Sequence, residues 1–384
     1  MSFCIHDSDV VLCNNEEIIV YNIQDNTETV IHLPELQTDK KMDVHNNVNI
    51  ETFHTITNVM FSNDGNYFLV CTNRKQLCLY ERKSQKLILN EVLPRAASKV
   101  TFTPINDIVV ADKAGDVYLF SSKRPGNGIL LLGHLSMLLD VLITEDDNYI
   151  ITTDRDEKIR VSMFPNSYNI MCYCLGHQKF VTNILELPHD KSILVSCGGD
   201  GKLILWDYKI GKELLSVDFN DKISKSDIEE FNQQFQGCHL EETIEILPVK
   251  HLRLSAITAT SSLAVMSFYS SPLLLVYIVN GTMSNFEINY LQSIVTDSEP
   301  LECYIHKQNL WLLNDHGFKI YEFKDNFVPS NGMDYKINQL NSFWKTLKKD
   351  TVQQNLFSIL YKRKYDNVQE YLQRKKTRLG SISE

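Results

Sequence analysis

The segment 176–207 constrains what this chain can fold into more than any other part of it. It begins with Gly176-His177, contains Ser196 and Asp200, and ends with Trp206-Asp207. That order and length are typical of a WD repeat, which folds as one four-stranded blade of a β-propeller. Once buried, the side chains of His177, Ser196, Asp200 and Trp206 can hydrogen-bond in a chain. We interpret them as a structural network that holds the blade together.

Six weaker copies of the repeat occur along the chain. The spacing Asp200-x-x-Leu203-x-x-Trp206 returns, with other residues, at Asn15/Ile18/Tyr21, Arg74/Leu77/Tyr80, Ala114/Val117/Phe120, Asp156/Ile159/Ser162, Ser271/Leu274/Tyr277 and Asp315/Phe318/Tyr321. Polar turns begin at Asp64, Asn106, Asp147 and His189, in steps of 42, 41 and 42 residues. A constant step near 40 residues indicates a propeller array. The sequence therefore predicts an all-β fold, a seven-bladed WD40 β-propeller with a C-terminal helical tail.

The repeats also predict the domain organisation. We expect the propeller to span residues 1–325, with polar insertions at 35–49 and 220–242, and a basic, partly helical tail to span 326–384. Each insertion is either a partner-facing loop or a solvated loop, and Asp227 is expected to cap a short helix in the second one. Phe327 and Val328 are expected to pair with the first blade and so close the ring. Apolar residues at three- and four-residue steps predict a helix over 351–379.

Charge is unevenly distributed along the chain. The net formal charge is −10, yet residues 341–384 contain ten basic and four acidic side chains. A basic cluster at the end of the predicted tail helix suits both the helix dipole and a contact with phosphate groups, and the residues alone favour neither. Its members are the candidate RNA contacts Arg374, Lys375, Lys376 and Arg378.

Cysteine spacing and hydropathy favour a soluble protein in a reducing compartment. The nine cysteines show no CxxC pair, so neither a zinc site nor a disulfide framework is expected. The most apolar stretch, 261–279, contains Pro272 and several serines, and we interpret it as two strands rather than a membrane span. We expect a nuclear protein, with the cytoplasm as a second location.

No catalytic motif accompanies the repeats. The chain contains no glycine-rich phosphate loop, no HExxH and no GxSxG, and its eleven histidines show no metal-ligand spacing. Some propellers are enzymes with a metal in the central channel, so the fold alone does not decide the question. The sequence offers no positive reason to propose catalysis, a bound cofactor or a metal.

Three strings are more particular than the generic repeat. They are ADKAGDVY at 111–118, LGHLSMLLDV at 132–141 and TTDRDEKIRVS at 152–162. In that order they resemble the WD-repeat, non-catalytic subunits of eukaryotic tRNA (guanine-N7-)-methyltransferase, the family that includes the insect protein Wuho. The strong resemblance covers about a quarter of the chain, and residues 361–368 also look like the animal members.

The resemblance implies a function and a partner. In that family the propeller forms a heterodimer with a Rossmann-type catalytic subunit, which carries S-adenosylmethionine and methylates N7 of a guanosine in the variable loop of tRNA. The propeller holds that subunit in its active form and has no catalytic residue or cofactor of its own. Arg160 matches a basic family position that contacts the catalytic subunit, with Glu157 beside it. Lys158 and Asp154 in the same string complete the candidate partner-binding residues.

Arg160 is also unusual on chemical grounds alone. It stands in the middle of a predicted strand, where a half-buried charge needs a carboxylate partner. Glu157, Asp154 or Asp140 can supply that carboxylate inside the fold, and so can a partner subunit. Ser162 occupies the position of the repeat's Trp, so the network of this blade is expected to be His134, Thr152 and Asp156 without an indole.

Two other functions are compatible with a propeller. One is a general WD-repeat scaffold, such as a substrate adaptor for a ubiquitin ligase, without an RNA role. The other is a metalloenzyme with its site in the channel, which elemental analysis would reveal. Association with a methyltransferase subunit and tRNA N7-guanosine methylation distinguish the leading hypothesis from both.

Overall fold

Seven antiparallel sheets of four strands each form the blades of a propeller. The structure, a computed structural model, describes residues 2–36, 54–234, 243–282, 285–330, 334–348 and 360–361. Within every blade the strands are neighbours in chain order. The first strands of successive blades contact one another around the ring, so they line its centre, and the fourth strands form the rim. The predicted seven-bladed propeller is confirmed.

The strand bounds follow the repeat closely. In blades one to three they are β1 Ser2–His6, β2 Asp9–Asn14, β3 Glu17–Asn22, β4 Thr27–His32, β5 Ile56–Phe61, β6 Tyr67–Thr72, β7 Gln76–Glu81, β8 Leu87–Val92, β9 Ala97–Phe102, β10 Ile108–Asp112, β11 Asp116–Phe120 and β12 Ile129–Gly133. In blades four to seven they are β13 Leu138–Ile143, β14 Tyr149–Asp154, β15 Ile159–Met163, β16 Ile170–Cys174, β17 Val181–Leu187, β18 Asp190–Gly198, β19 Lys202–Asp207, β20 Lys212–Asp218, β21 Val249–Thr258, β22 Ser261–Phe268, β23 Leu273–Thr282, β24 Asn285–Val295, β25 Glu302–His306, β26 Asn309–Asn314, β27 Gly317–Phe323 and β28 Phe327–Pro329.

All seven copies of the repeat spacing fall at the same place in their blades. The first residue lies in the turn before the third strand, and the other two lie on that strand; they are apolar or aromatic in every copy except for Ser162 of blade four. Their side chains pack between neighbouring blades: Trp206 of blade five and Ile159 of blade four lie in one buried cluster, together with neighbours such as Ile151 and Ile204. The core is therefore a set of blade-to-blade seams, which explains why one strand position recurs so regularly in the sequence.

The stretch 261–279 forms two strands, as its serines and Pro272 predict. β22 and β23 pair across the turn at Ser270 and Ser271, and most of their side chains are buried in the seams of blade six. None of the helices in the described ranges is long and apolar enough to cross a membrane. The eight cysteines in those ranges are free, and seven of them are buried.

The insertion after blade five contains a turn of 3-10 helix, Asn220–Lys222, and the helix α1, Lys225–Gln234. The prediction that Asp227 caps this helix is wrong. Ser224 lies before the helix, its hydroxyl accepts the backbone N–H of Asp227, and the Asp227 carboxylate accepts the N–H of Ser224 in return. This reciprocal arrangement places the capping residue three positions earlier. Phe231 is fully buried against blades five and six, so this part of the insertion packs on the propeller.

The ring closes differently from the prediction. Phe327 and Val328 lie on β28, which pairs with β27 of the same blade and not with the first blade. The last strand therefore ends at Pro329 rather than before residue 326. Blades one and seven each have four strands of their own, and they meet through side chains such as Phe3, Leu313 and Phe318 in a shared cluster.

A helix of the predicted C-terminal tail covers this seam, and it lies before the range 351–379 in which the apolar spacing predicted helix. α2, Asp334–Leu347, buries Leu340, Trp344 and Leu347 in the cluster shared by blades one and seven. Asn14 of blade one donates to the Leu347 carbonyl, and the Asn341 side-chain oxygen accepts the backbone N–H of Phe318, at 2.6 Å. The helix thus joins the first and last blades by hydrogen bonds as well as by apolar contact.

Several predicted segments lie outside the described residues. They are most of the 35–49 insertion, the helix expected over 351–379 except for Leu360 and Tyr361, and the basic cluster at 374–378. Leu360 and Tyr361 are buried against blades five and six, with the Tyr361 ring 5.1 Å from that of Phe180.

Candidate partner-binding face

Blade five contains the complete polar network that the sequence predicts. His177 Nδ1 lies 2.8 Å from Asp200 Oδ2, and His177 Nε2 lies 2.7 Å from Ser196 Oγ. Trp206 Nε1–H donates to the same hydroxyl at 2.7 Å. Burial opposes ionisation of Asp200, but hydrogen bonds from His177 and from two backbone N–H groups hold its pKa below the usual value. With every member bonded to another, the four side chains link β18, β19, the turn between them and the connection before β17, and they have no group left for chemistry.

Blade four has a network of different composition. His134 Nε2 lies 2.9 Å from Thr152 Oγ1, as expected, but His134 Nδ1 lies 2.9 Å from Asp154 Oδ2. The prediction that Asp156 completes this network is wrong, because Asp156 is exposed in the turn after β14. Asp154 is only 4% exposed. Burial opposes its ionisation, but hydrogen bonds from His134 and from the backbone N–H groups of Asp156 and Lys158 hold its pKa below the usual value.

Arg160 takes over the tethering role that Trp206 has in blade five. Its Nε–H donates to Ser162 Oγ at 3.0 Å. One Nη1–H donates to the Gly133 carbonyl at 3.2 Å, and one Nη2–H donates to the Ser167 carbonyl at 3.1 Å. Because Gly133 ends β12 of blade three, the guanidinium bridges two blades. Ser162 is small enough to leave room for it where the indole would stand.

The expected carboxylate partner of Arg160 is absent from the part of the chain that the structure describes. Glu157, Asp154 and Asp140 form no ion pair with it, and its three acceptors are neutral oxygens. Asp140 instead accepts the backbone N–H of Ile184 and pairs with Lys99. Burial lowers the pKa of Arg160, but a guanidinium remains protonated in any folded protein. Two of its five N–H groups thus have no acceptor among the described residues, and an outside carboxylate can bind them.

Exposed apolar side chains are concentrated on the blade of Arg160 and its two neighbours. Sixteen large apolar side chains are exposed in the described ranges, and nine of them belong to blades three to five near this residue. We call these nine the rim patch: Ile129, Leu130, Leu135, Tyr168, Ile170, Met171, Tyr173, Leu175 and Ile210. Contiguous exposed apolar surface on a soluble domain usually marks an interaction site.

Local contacts hold the rim patch together as one surface. Ser167 Oγ donates to the Leu131 carbonyl at 2.6 Å, which fixes the loop before β16 against β12. Tyr173 is the cross-strand partner of Arg160. On the other side, Cys172 Sγ donates to the Tyr208 carbonyl at 3.0 Å, so the turn that carries Ile210 packs on β16. The patch therefore spans the rims of three adjacent blades with the guanidinium among its members.

The other candidate residues of blade four differ in accessibility. Glu157 and Lys158 are exposed in the turn between β14 and β15, and Glu157 adopts a positive φ of 73°. Asp154, by contrast, is buried in the network with His134, so it cannot offer its carboxylate to a partner. Sequence reasoning missed the rim patch, although apolar pairs at 129–130 and 170–171 on fourth strands, which face solvent in a propeller, are a signal that could have found it.

One cluster in the central channel has residue types that bind metals. A side-chain donor atom from each of His251, Glu302 and Cys303 lies within 4.8 Å of the other two. However, Arg253 Nη2 lies 2.6 Å from Glu302 Oε1, the same oxygen that lies 3.4 Å from His251 Nε2. The carboxylate is therefore engaged by a guanidinium, which fits an ion-pair network better than a cation site.

Comparisons with known proteins point to one family. The family model described as the tRNA methyltransferase TRM82 WD40 domain matches residues 122–314. A Xenopus laevis protein named tRNA (guanine-N(7)-)-methyltransferase non-catalytic subunit wdr4 is 34% identical over 333 residues, which cover 84% of this chain and 79% of that protein. Its Homo sapiens counterpart is 31% identical, covering 82% and 74%. The Drosophila mojavensis counterpart, wuho, is 30% identical, covering 85% and 81%.

Among solved structures, a chain in a crystal structure of the mitotic checkpoint complex superposes with a TM-score of 0.62. The superposition covers 81% of this chain and 85% of that chain, at 13% sequence identity. At that identity the likeness supports the propeller fold alone.

Proposed function

This chain belongs to the family of WD-repeat, non-catalytic subunits of tRNA (guanine-N7-)-methyltransferase, and we propose that it binds the catalytic subunit as a heterodimer through the rim patch around Arg160. Members of this family are named as non-catalytic subunits of a methyltransferase, so the methylation itself is carried out by another subunit of the complex. The comparisons thus favour this function over a ubiquitin-ligase adaptor or a general scaffold.

The observation that carries the proposal is the coincidence of two independent features. The family resemblance singles out Arg160, and nine of the sixteen exposed large apolar side chains in the described ranges lie on its blade and the two neighbouring blades. Interfaces commonly have an apolar centre with an arginine or aromatic anchor. Tyr168 and Tyr173 provide aromatic rings here, and Arg160 provides two N–H groups without an acceptor among the described residues.

The geometry also indicates how the subunit would hold its partner. Arg160 is fixed by three neutral oxygens from two blades, so its guanidinium is oriented before binding and loses little conformational freedom on association. A carboxylate on the catalytic subunit would find a charge that no described carboxylate neutralises. Glu157 and Lys158, in the adjacent turn, would lie at the edge of the same contact.

Chemistry in this complex would belong to the partner. We propose that the catalytic subunit binds S-adenosylmethionine and that the complex acts on N7 of a guanosine in the tRNA variable loop, with the propeller stabilising the active form. The basic side chains Arg374, Lys375, Lys376 and Arg378 are proposed RNA contacts. For the location of the complex we propose the nucleus, with the cytoplasm as a second compartment.

Substitutions in the rim patch test the docking site. Ile170→Asp places a charge in the centre of the patch on an outermost strand, and we expect it to weaken association with the catalytic subunit at least tenfold, since a buried unpaired carboxylate costs well over 1.4 kcal/mol. Val328→Asp is the matched control, because Val328 is similarly exposed on the outermost strand of blade seven. Equal affinities for the two variants would move the docking site away from blade four.

Arg160→Leu tests the anchor itself. We expect weaker association and less N7-methylguanosine in tRNA, measured by pull-down and by nucleoside mass spectrometry. Because Arg160 also bridges two blades, thermal unfolding of the variant shows how much of the decrease comes from the fold. Association at the wild-type level would remove Arg160 from the interface, and full activity of the catalytic subunit without this chain would overturn the proposed function.

A further inference from the structure

One face of the ring carries the turns between second and third strands together with the connections between blades. Hydrogen bonds join the two kinds of segment. The His134 N–H donates to the Gly115 carbonyl at 2.8 Å, the Arg155 N–H to the Met137 carbonyl at 3.0 Å, and the Gly199 N–H to the Phe180 carbonyl at 3.0 Å. We call this side of blades two to five, formed by residues 72–76, 93–96, 112–116, 134–137, 154–158, 175–180 and 199–202, the connection face.

The connection face is rich in cations. Its eight basic side chains are Arg74, Lys75, Arg95, Lys113, Arg155, Lys158, Lys179 and Lys202. Five of them, at positions 75, 95, 113, 158 and 202, form no ion pair within the described part of the chain. Such a concentration is unexpected in a protein whose net charge is −10.

The carboxylates of this face are largely turned inward. Asp112, Asp154 and Asp200 are buried, and backbone N–H groups bond to each of them. Asp112, for example, accepts the N–H groups of Ala114, Gly115 and Asp116 at 2.7–3.1 Å. The carboxylates that reach the surface are Asp116, Asp156 and Glu157, so accessible cations outnumber accessible anions.

The opposite side of the same blades carries both signs of charge. Its turns between third and fourth strands contain the cations Arg82, Lys83, Lys86, Lys123, Arg124 and Lys209, whereas its turns between first and second strands are acidic. These acidic turns carry Asp64, Asp107 and the run Glu145-Asp146-Asp147. Burial, together with the neighbouring Asp107 and Asp146, raises the pKa of Asp147 above its usual value. Like charges are therefore close enough to repel one another in these acidic turns, and the accessible charges of this side are more nearly balanced than those of the connection face.

We infer that the connection face of blades two to five binds the phosphate backbone of the tRNA, an inference that rests on the proposed function. Unpaired lysine and arginine side chains suit sequence-independent contact with phosphates. The face also adjoins the proposed docking site, since Leu135 and Leu175 belong to both the connection face and the rim patch. A tRNA held by a catalytic subunit on the rim would thus lie near these cations.

Tyr361, the last described residue, lies near the same face. Tyr361 packs against Phe180, which lies in the connection between blades four and five. Residues 362–384 that follow contain seven basic and three acidic side chains. Tyr361 therefore lies beside the connection face, and the basic segment follows it in the sequence.

Neutralising three unpaired cations tests this inference. The variant combines Arg95→Gln, Lys113→Gln and Lys202→Gln, and it leaves Lys158 intact because that residue adjoins the proposed docking site. The control combines Lys83→Gln, Lys86→Gln and Lys324→Gln, which neutralises exposed lysines in turns on the opposite side. Each full-length chain is purified with the catalytic subunit, and its affinity for tRNA is titrated at several salt concentrations.

We expect the test variant to weaken tRNA binding about tenfold at physiological salt. The slope of log Kd against log salt should fall by about 1 for each phosphate that the variant no longer neutralises. The control should keep the wild-type affinity and slope. Wild-type tRNA binding by the test variant would overturn the inference, and so would a defect confined to association with the catalytic subunit.

The same titration with the chain alone separates this inference from the proposed function. If the wild-type chain does not associate with the catalytic subunit, the proposed function fails. The connection face is then still tested directly, because low-salt binding of tRNA to the chain alone should be weakened in the test variant and retained in the control. Equal binding by both variants would again contradict the inference.

Discussion

At the residue scale, the carboxylate of the blade-four network comes from the end of a strand, whereas that of the blade-five network comes from a turn. Thr152 and Asp156 have the same spacing as Ser196 and Asp200, yet His134 contacts Asp154. In blade five the position equivalent to Asp154 is Gly198, where a Cβ would lie 2.0 Å from the Phe180 carbonyl oxygen, so the acid must come from the turn. Blade four has a carboxylate at the end of its second strand, Asp154. This group hydrogen-bonds to the His134 imidazole in place of Asp156.

Two substitutions distinguish these carboxylates. Asp154→Ala should destabilise the protein by about 1–3 kcal/mol, since it leaves a buried His134 N–H and a backbone N–H without acceptors. Asp156→Ala should change the free energy of unfolding by less than about 0.5 kcal/mol, as is usual for exposed turn positions. Chemical denaturation at neutral pH measures both, and a larger effect for Asp156→Ala would restore Asp156 as the acid of this network.

Glu186 provides a pH-dependent test at the same scale. Burial raises its pKa to about 6, while the backbone N–H of Glu145 bonds to it at 3.0 Å. Because the folded-state pKa lies above the unfolded one, ionisation disfavours the folded state, and this destabilisation develops as the pH rises from about 4.5 through 6.

Glu186→Gln keeps an acceptor oxygen for Glu145 and removes the ionisation. The variant should therefore be more stable than the wild type at pH 7 to 8, and the difference should disappear below about pH 4.5. Thermal unfolding across this pH range measures the effect. A constant difference between the two proteins at every pH would show that Glu186 does not titrate in the folded state as inferred.

At the element scale, α2 replaces the shared strand that was expected to close the ring. β28 completes blade seven alone, so the contact between blades one and seven depends on side chains and on this helix. Trp344 is 1% exposed and lies in the cluster that joins them. The helix therefore adds to the third-strand side chains that meet in this seam, such as Tyr21 and Phe318.

Truncation of Trp344 measures that contribution. Trp344→Ala should cost about 3–5 kcal/mol of stability, the usual range for removing a large buried aromatic side chain. Lys345→Ala is the control, because Lys345 is exposed on the same helix turn and should have little effect. Hydrogen exchange should show the destabilisation first in blades one and seven, whereas a uniform effect over all blades would contradict a local closing role for α2.

At the scale of the whole molecule, the rim patch leaves the isolated chain with apolar surface that a partner would cover. Binding to the folded state alone stabilises a protein by mass action, by about 2.7 kcal/mol at a free partner concentration of 100 times Kd. The catalytic subunit should therefore raise the unfolding temperature of the wild-type chain and of Val328→Asp. It should have a much smaller effect on Ile170→Asp, and an equal effect on all three would contradict docking at the rim.

The sequence by itself determined the number of blades, their phase and the family. Each blade buries the same third-strand positions in a seam, so the constraint is local and recurs every 40 or so residues. Strings such as TTDRDEKIRVS at 152–162 were specific enough to indicate the non-catalytic subunit. The complete network of blade five was also predictable, because all four of its members lie within one repeat.

Only the tertiary structure decided the features that depend on contacts between repeats. The neutral acceptors of Arg160 come partly from Gly133 in another blade, and the seam under Trp344 joins residues more than 300 positions apart. The rim patch and the connection face each combine short segments of several blades, none of which is distinctive alone. Periodicity within a repeat predicts the strands and the buried positions of one blade. Which side chains of different blades meet depends on the geometry around the ring, because the sequence of one blade carries little information about the surface of the next.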